Sequence, residues 1–141
     1  MYTVKQVADQ LEMNPHTVRF YTDKELIPGL KRGENNVRLF DEDTIGWLQG
    51  VKALRNSGMS VEAIKKYVDL CLVGEAAIPE RLEIIKDQQE KVNAQLAELQ
   101  QSSQFLAEKV HFYENLLDGK ETLDKGNPAE MNKIRKELTR L

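Results

Sequence analysis

The chain has 141 residues, a formal net charge of −3, and 30% charged against 40% hydrophobic residues, enough for one medium domain or a small domain with an extended element. No apolar run approaches the ~18 residues that a membrane span takes, and the N-terminus has no basic-then-apolar leader. A cytoplasmic protein without a membrane partner is therefore expected, and the single cysteine, Cys71, excludes an internal disulfide framework or an intrachain cysteine cluster.

In chain order, the first element is a short helix. Thr3 followed by Gln6 matches a capping box, in which hydroxyl and amide satisfy early helix N–H groups. Val4, Val7, Ala8 and Leu11 recur at helical spacing and give it one apolar face. After a turn near Glu12 and Met13, Asn14 is a strong N-cap and Pro15 suits the first position of a second helix. Val18 and Tyr21 can face the core, leaving His16, Thr17, Arg19 and Phe20 outside at the helix's exposed beginning. This helix ends near Lys24 and Glu25. Leu26-Ile27-Pro28 and Val37-Arg38-Leu39-Phe40 then read as the two sides of a basic hairpin around Gly33-Glu34-Asn35-Asn36, since asparagine tolerates left-handed φ. Two helices joined by a tight turn, with donors and aromatics at the start of the second, form a helix-turn-helix able to enter the DNA major groove. The hairpin adds a wing beside that groove.

Asp41 caps a third helix, and Glu42 and Asp43 in its first turn complement the helix dipole. Its buried stripe is Ile45, Leu48, Val51 and Leu54, with Trp47 beside them, and Gly58 ends it. Ser60 caps a fourth helix whose apolar face is Val61, Ile64, Val68, Cys71 and Leu72. Gly74 closes a DNA-binding domain of residues 1–74.

The pattern then changes. From Ile78 to Leu117, spacings of four and three alternate without a break, through Leu82, Ile85, Gln89, Val92, Leu96, Leu99, Ser103, Leu106, Val110 and Tyr113. Ten of the twelve seam positions are apolar, which makes a sustained coiled-coil heptad. Gln89 and Ser103 read as residues that set its register. A lone helix with such a stripe would aggregate, and nothing else in the chain is long enough to cover it. Residues 75–118 are therefore expected to be a dimerisation helix that pairs with a second copy about a two-fold axis. In residues 119–141, Gly119 and Gly126 mark a linker, and Asn127-Pro128 starts a short amphipathic helix with Met131, Ile134, Leu138 and Leu141 on one face.

Charge neither requires nor forbids a nucleic-acid partner. Residues 1–70 carry ten basic and ten acidic side chains, and residues 71–141 carry ten and thirteen. Phosphate binding depends on where the cations lie. Arg19, Lys24, Lys31, Arg32, Arg38, Lys52 and Arg55 all fall in the winged part or the helix after it.

Together these residues resemble the MerR family of bacterial transcriptional regulators. The resemblance runs to about residue 118. It is carried by Tyr2-Thr3-Val4 with Val7-Ala8, by Thr17-Val18-Arg19-Phe20-Tyr21, by Leu26-Ile27-Pro28, by Arg38-Leu39-Phe40, and by Leu54-Arg55 with Gly58-Met59-Ser60. It implies a mainly α fold: a winged helix-turn-helix with a small β-hairpin wing, then a long dimerisation helix in an antiparallel coiled coil. It also implies sequence-specific binding of a homodimer to a palindromic promoter in double-stranded DNA. A small-molecule effector at the dimer helices would switch transcription by distorting the DNA, reaching RNA polymerase indirectly. On this resemblance Arg19 and Tyr21 are reading-helix contacts, with Phe20 beside them and His16 and Thr17 nearest the base edges. Arg38 is the wing cation, with Arg32 and Asn35 nearby, and Arg55 is the second-wing cation. The chain departs from the family pattern at Glu25 and Asn36, where glycine is usual or frequent, and at Val37 and Phe40, where tyrosine is frequent. Its second half looks most like members that respond to aldehydes and thiol stress, but Ala53 stands where those carry a cysteine.

Cys71 is the one candidate redox or electrophile sensor, although it shares a helical stripe with Ile64 and Val68, where free cysteine usually serves as a small hydrophobe. No metal site is expected, since His16 and His111 do not make a ligand set. No cofactor is expected either. The aromatic end of the long helix, Phe105, Phe112 and Tyr113 with Leu116, reads as interdomain core or as a hydrophobic effector pocket. No paired catalytic carboxylates, nucleophile–base set or phosphate loop argues for an enzyme. A second reading is a DNA-independent partner that uses its coiled coil to sequester a related regulator.

Overall fold

Short side-chain caps decide where each helix of the N-terminal part begins. Thr3 Oγ1 accepts the Gln6 N–H at 3.3 Å while Gln6 Oε1 accepts the Thr3 N–H at 2.9 Å, which starts α1 (Val4–Leu11) where the capping box predicts. Asn14 Oδ1 accepts the His16 N–H at 2.8 Å and opens α2 (Pro15–Asp23). Asp41 and Thr44 form a reciprocal box that opens α3 (Glu42–Asn56). Ser60 Oγ accepts the Ala63 N–H at 3.1 Å and opens α4 (Val61–Val73). The Thr44 backbone N–H, then its hydroxyl, hold the Asp41 carboxyl below its ordinary value of 3.8. That contribution is complete above about pH 3.8 and is lost as the pH falls through the lower folded-state value.

The computed structural model describes residues 1–120, 135–137 and 139–140. It is mainly α-helical, with one two-stranded antiparallel hairpin, β1 (Lys31–Arg32) and β2 (Arg38–Leu39), in which Lys31 pairs with Leu39 and Arg32 with Arg38. One expectation is corrected here. Leu26-Ile27-Pro28 is not a strand: Leu26 and Ile27 are buried, and the Leu26 N–H donates to the Tyr21 carbonyl at 3.1 Å. The apolar run that resembled a strand is a core plug, and the ladder starts only at Lys31. A second strand-like contact escaped the sequence pattern. Tyr2 and Phe40 exchange both backbone hydrogen bonds at 2.8 Å, tying the N-terminus to the end of the hairpin.

One core joins these pieces. Phe40, Leu26, Leu48, Ile64, Val7 and Val18 are fully buried in it, so the wing's end, the α1–α2 pair and the α3–α4 pair share one apolar interior. Removing a large side chain from such a core typically costs about 2–5 kcal/mol. Leu72 is corrected too: it is exposed, and α4 faces the core with Ile64 and Val68, so the predicted apolar face stops short of the helix end.

α5 (Ile78–Leu117) is a single helix of 40 residues, roughly 60 Å long. Its start is anchored on the N-terminal domain. Ile84 packs against the core, Gln88 Nε2 donates to the Ser57 carbonyl at 2.7 Å, and the Arg81 guanidinium lies 6.0 Å from the centre of the Tyr67 ring. The chain divides into two units, Met1–Ala94 and Gln95–Leu141, with the boundary inside α5. In the second unit Lys109 pairs with Glu137, and the Lys109 and Arg140 cations lie 5.3 and 6.0 Å from the Phe105 ring. Burial first, and then the neighbouring Arg140, hold the Lys109 ammonium below the ordinary lysine range. The apolar face expected from Met131, Ile134, Leu138 and Leu141 lies outside the described residues. Among the described residues no helix is long and apolar enough to cross a membrane.

The turn after α2 stores a local cost. Glu25 has φ +60, a left-handed conformation that L-residues with a side chain adopt at roughly 1–2 kcal/mol. Glu25→Gly is therefore expected to raise stability by about 0.5–1 kcal/mol in urea unfolding, the relief exceeding glycine's added unfolded-state entropy. Unchanged or lower stability would show that the Glu25 side chain contributes something glycine cannot.

Candidate nucleic-acid interface

The α2 start presents an outward-facing set. Val18 is fully buried and turns α2's inner face to the core, so His16, Arg19 and Phe20 emerge on the exposed face with Thr17 at its edge. The Asn14 cap and Pro15 fix this first turn, and its remaining N–H groups form the positive end of the helix. Among the described residues the Arg19 guanidinium has no hydrogen-bond or ion-pair partner. Phe20 is 44% exposed, with the Lys24 ammonium 5.6 Å from its ring centre. Tyr21 is placed differently from its neighbours: at 6% exposure it belongs to the core, so it offers a partner only a sliver of its surface.

The wing is held by side chains that no local spacing announces. Arg38 Nε donates to Thr22 Oγ1 at 2.8 Å, and its Nη2 donates to Asp23 Oδ1 at 2.6 Å. Thr22 Oγ1 in turn donates to the Arg19 carbonyl at 2.7 Å. The wing arginine is thus bound to the C-terminal end of the reading helix, which fixes the hairpin relative to α2. Thr22 and Asp23 were absent from the sequence-based set because they lie 16 and 15 residues from Arg38 and on another element. The tip is built by Asn35 and Asn36, at φ +57 and +60, with Arg32 Nη1 donating to the Asn36 carbonyl at 3.2 Å. Asn36 does here what glycine would do, through asparagine's tolerance of this region. At Gly33 a Cβ would sit 2.8 Å from Leu39 Cδ1, so a side chain there requires the half-buried Leu39 side chain to shift. Phe40 is fully buried and closes the core beneath the hairpin.

Other cations near the site are engaged within the chain. Arg55 Nη1 donates to the Met59 carbonyl at 2.7 Å and braces the α3–α4 turn, and Lys52 Nζ donates to the Leu11 carbonyl at 2.6 Å. Lys31 lies 3.7 Å from the Asp41 carboxylate. Cys71 is half-buried on α4, and Lys65, one of the two lysines nearest it in sequence, is paired with Asp69 at 2.7 Å. Among the described residues no cluster of three or more histidine, cysteine or acidic side chains is placed to hold a metal ion.

An exposed reading-helix start, a wing locked to its far end and a long helix leaving the domain define a winged helix-turn-helix transcriptional regulator rather than an enzyme. The chain matches the model of the MerR HTH family regulatory proteins over residues 2–71 and the MerR DNA-binding model over residues 45–109. It is 33% identical to an uncharacterised HTH-type transcriptional regulator of Haemophilus influenzae over 80% of this chain and 84% of that one. It is 34% identical to the HTH-type transcriptional regulator AdhR of Bacillus subtilis over 63% of this chain and 64% of that one. A crystal structure of HiNmlR, a MerR family regulator lacking the sensor domain and bound to promoter DNA, superposes with a TM-score of 0.73 at 32% identity, covering 83% of this chain and 93% of that one. The protein belongs to the MerR family of transcriptional regulators.

Arg38→Ala removes both ties between wing and reading helix. Because Asp23 is largely exposed, the ion pair adds little, and the Thr22 bond sets the scale at about 1 kcal/mol. The measurable signature is local: faster amide hydrogen exchange across the hairpin with α1 unchanged. Uniform exchange in both segments would show that Arg38 does not anchor the wing.

Proposed function

We propose that this protein acts as a homodimer on a palindromic promoter site, and that a small-molecule effector at the dimer helices switches transcription by changing the distortion of the bound DNA. The supporting observation is one chain that joins an exposed reading-helix start to a 40-residue helix in which no residue is buried. Each copy lays α2 into the major groove, with His16 and Thr17 nearest the base edges and Arg19 beside Phe20 and the rim of Tyr21. Arg32, Asn35 and Arg38 on the wing and Arg55 at the α3–α4 turn lie against phosphates. A relative at 32% identity captured on promoter DNA supports this use of the fold. Smoothly bending about 20–30 base pairs costs on the order of 1–6 kcal/mol, so an effector that changes how well the dimer matches bent DNA changes promoter geometry. RNA polymerase responds indirectly, through realigned promoter elements, and the proposed target places the protein in the cytoplasm.

Gel shifts on the promoter of its own gene test the reading helix. A base contact from arginine is worth about 1–3 kcal/mol, so Arg19→Ala should weaken binding roughly 10- to 100-fold. Equal affinity would contradict the assignment. Leu99→Asp should give monomers in sedimentation, and a persistent dimer would contradict the seam. If the parent binds no promoter fragment and prefers to pair with a related regulator, the sequestration reading replaces this one.

A further inference from the structure

A cavity of ≈ 320 Å³ opens between α3 and α4, wholly within the unit Met1–Ala94. That volume lies at the lower end of the range small ligands occupy, roughly 300–1,000 Å³. Asp43, Trp47, Val51 and Leu54 line it from α3, and Tyr67 and Val68 from α4. The α3 residues recur at spacings of four and three, so they share one helix face. Val51 and Val68 are buried, and the Trp47 and Tyr67 side chains beside them are half-buried.

Two positions on this face carry no side chain. Gly46 and Gly50 line the cavity, and a Cβ built at either meets nothing within 4 Å. Glycine inside a helix is less stable than alanine, and no close packing among the described residues requires it at these positions. Gly46 stands three residues from Asp43 and Gly50 three from Trp47, so the flank of the Asp43–Trp47 pair is left open. Three polar groups in the wall are also unused. Among the described residues the Asp43 carboxylate, the Trp47 indole N–H and the Tyr67 hydroxyl make no hydrogen bond or ion pair. Apolar walls, aromatic rings and a few convergent polar groups are the composition of a small-molecule site.

We propose that this cavity binds a small aromatic amine, its ring against Trp47 and Tyr67 and its ammonium at Asp43. Asp43 is the one charged residue in the wall, and Glu42 beside it adds negative charge at the same end of α3. The Arg81 guanidinium lies 6.0 Å from the centre of the Tyr67 ring but is not part of the wall. A cation near an aromatic face is attracted by the ring as well as by the carboxylate. The site belongs to a single DNA-binding domain and needs no second copy. It is therefore distinct from the effector position at the dimer helices proposed above.

Trp47 is the chain's only tryptophan, so its emission reports on the cavity directly. Titration of the full chain with 2-phenylethylammonium should change that emission saturably. The same ring and spacer bearing a carboxylate, 3-phenylpropionate, should bind more weakly. Asp43→Asn should cost the ammonium probe about two- to five-fold in affinity, the scale of an exposed ion pair, and narrow the gap between the probes. Gly50→Leu extends a side chain into the open space, and Gly46→Leu does so one turn earlier. Each should keep or raise the thermal midpoint while abolishing the saturable change with both probes. No saturable change in the parent would overturn the site. Equal affinity for the two probes, or an Asp43→Asn variant that binds as the parent does, would overturn the assignment of the ammonium to Asp43. Undiminished binding in both leucine variants would place the ligand outside this cavity.

Discussion

A 40-residue helix with an apolar seam and no fully buried residue constrains the whole protein. The seam residues Ile78, Leu96, Leu99, Leu106 and Leu117 are 50–88% exposed. Exposed apolar area on this scale is favourable only when another surface removes it from water. In the proposed homodimer the seam of a second copy is that surface. A regulator reading DNA through one short helix gains little specificity from one head. A rigid, two-fold-related pair converts two modest contacts into one cooperative site. In the proposed homodimer the long helix is the element that gives the reading head its working context.

Within each head, electrostatics does more structural work than the cation count suggests. Arg38, Arg55 and Lys52 each make internal hydrogen bonds that join elements or brace turns. Arg19 stands at the exposed helix start without such a partner among the described residues. Counterion release on DNA binding scales with the phosphates actually neutralised. The neutral charge balance of residues 1–70 is consistent with a head whose few outward cations are positioned rather than numerous. Arg38 would connect both roles in the proposed complex, since its guanidinium already fixes the wing to Thr22 and Asp23.

The sequence disclosed what local chemistry determines. Capping at Thr3, Asn14, Asp41 and Ser60 set the helix starts, and each cap is formed as its residues predict. Heptad spacing disclosed α5. Non-local packing was hidden. Leu26-Ile27-Pro28 has strand-like composition, but burial of Leu26 made it a core plug. Leu72 has the right spacing for the α4 face, but the core ends before it. The Arg38 clasp could not be read because its partners sit on another helix, whereas Tyr21's place in the core was legible from helical spacing. Glu25 was visible only as a departure from family pattern; its φ of +60 supplies the physical reason glycine is common there.

In the proposed function the DNA-binding unit is two chains related by a two-fold axis. The most direct measurement is the stoichiometry of the complex on a labelled fragment of its own promoter by sedimentation, with hydroxyl-radical footprinting of both strands. Two chains per duplex are expected, with protections symmetric about one point. One chain per duplex with a one-sided footprint would contradict it.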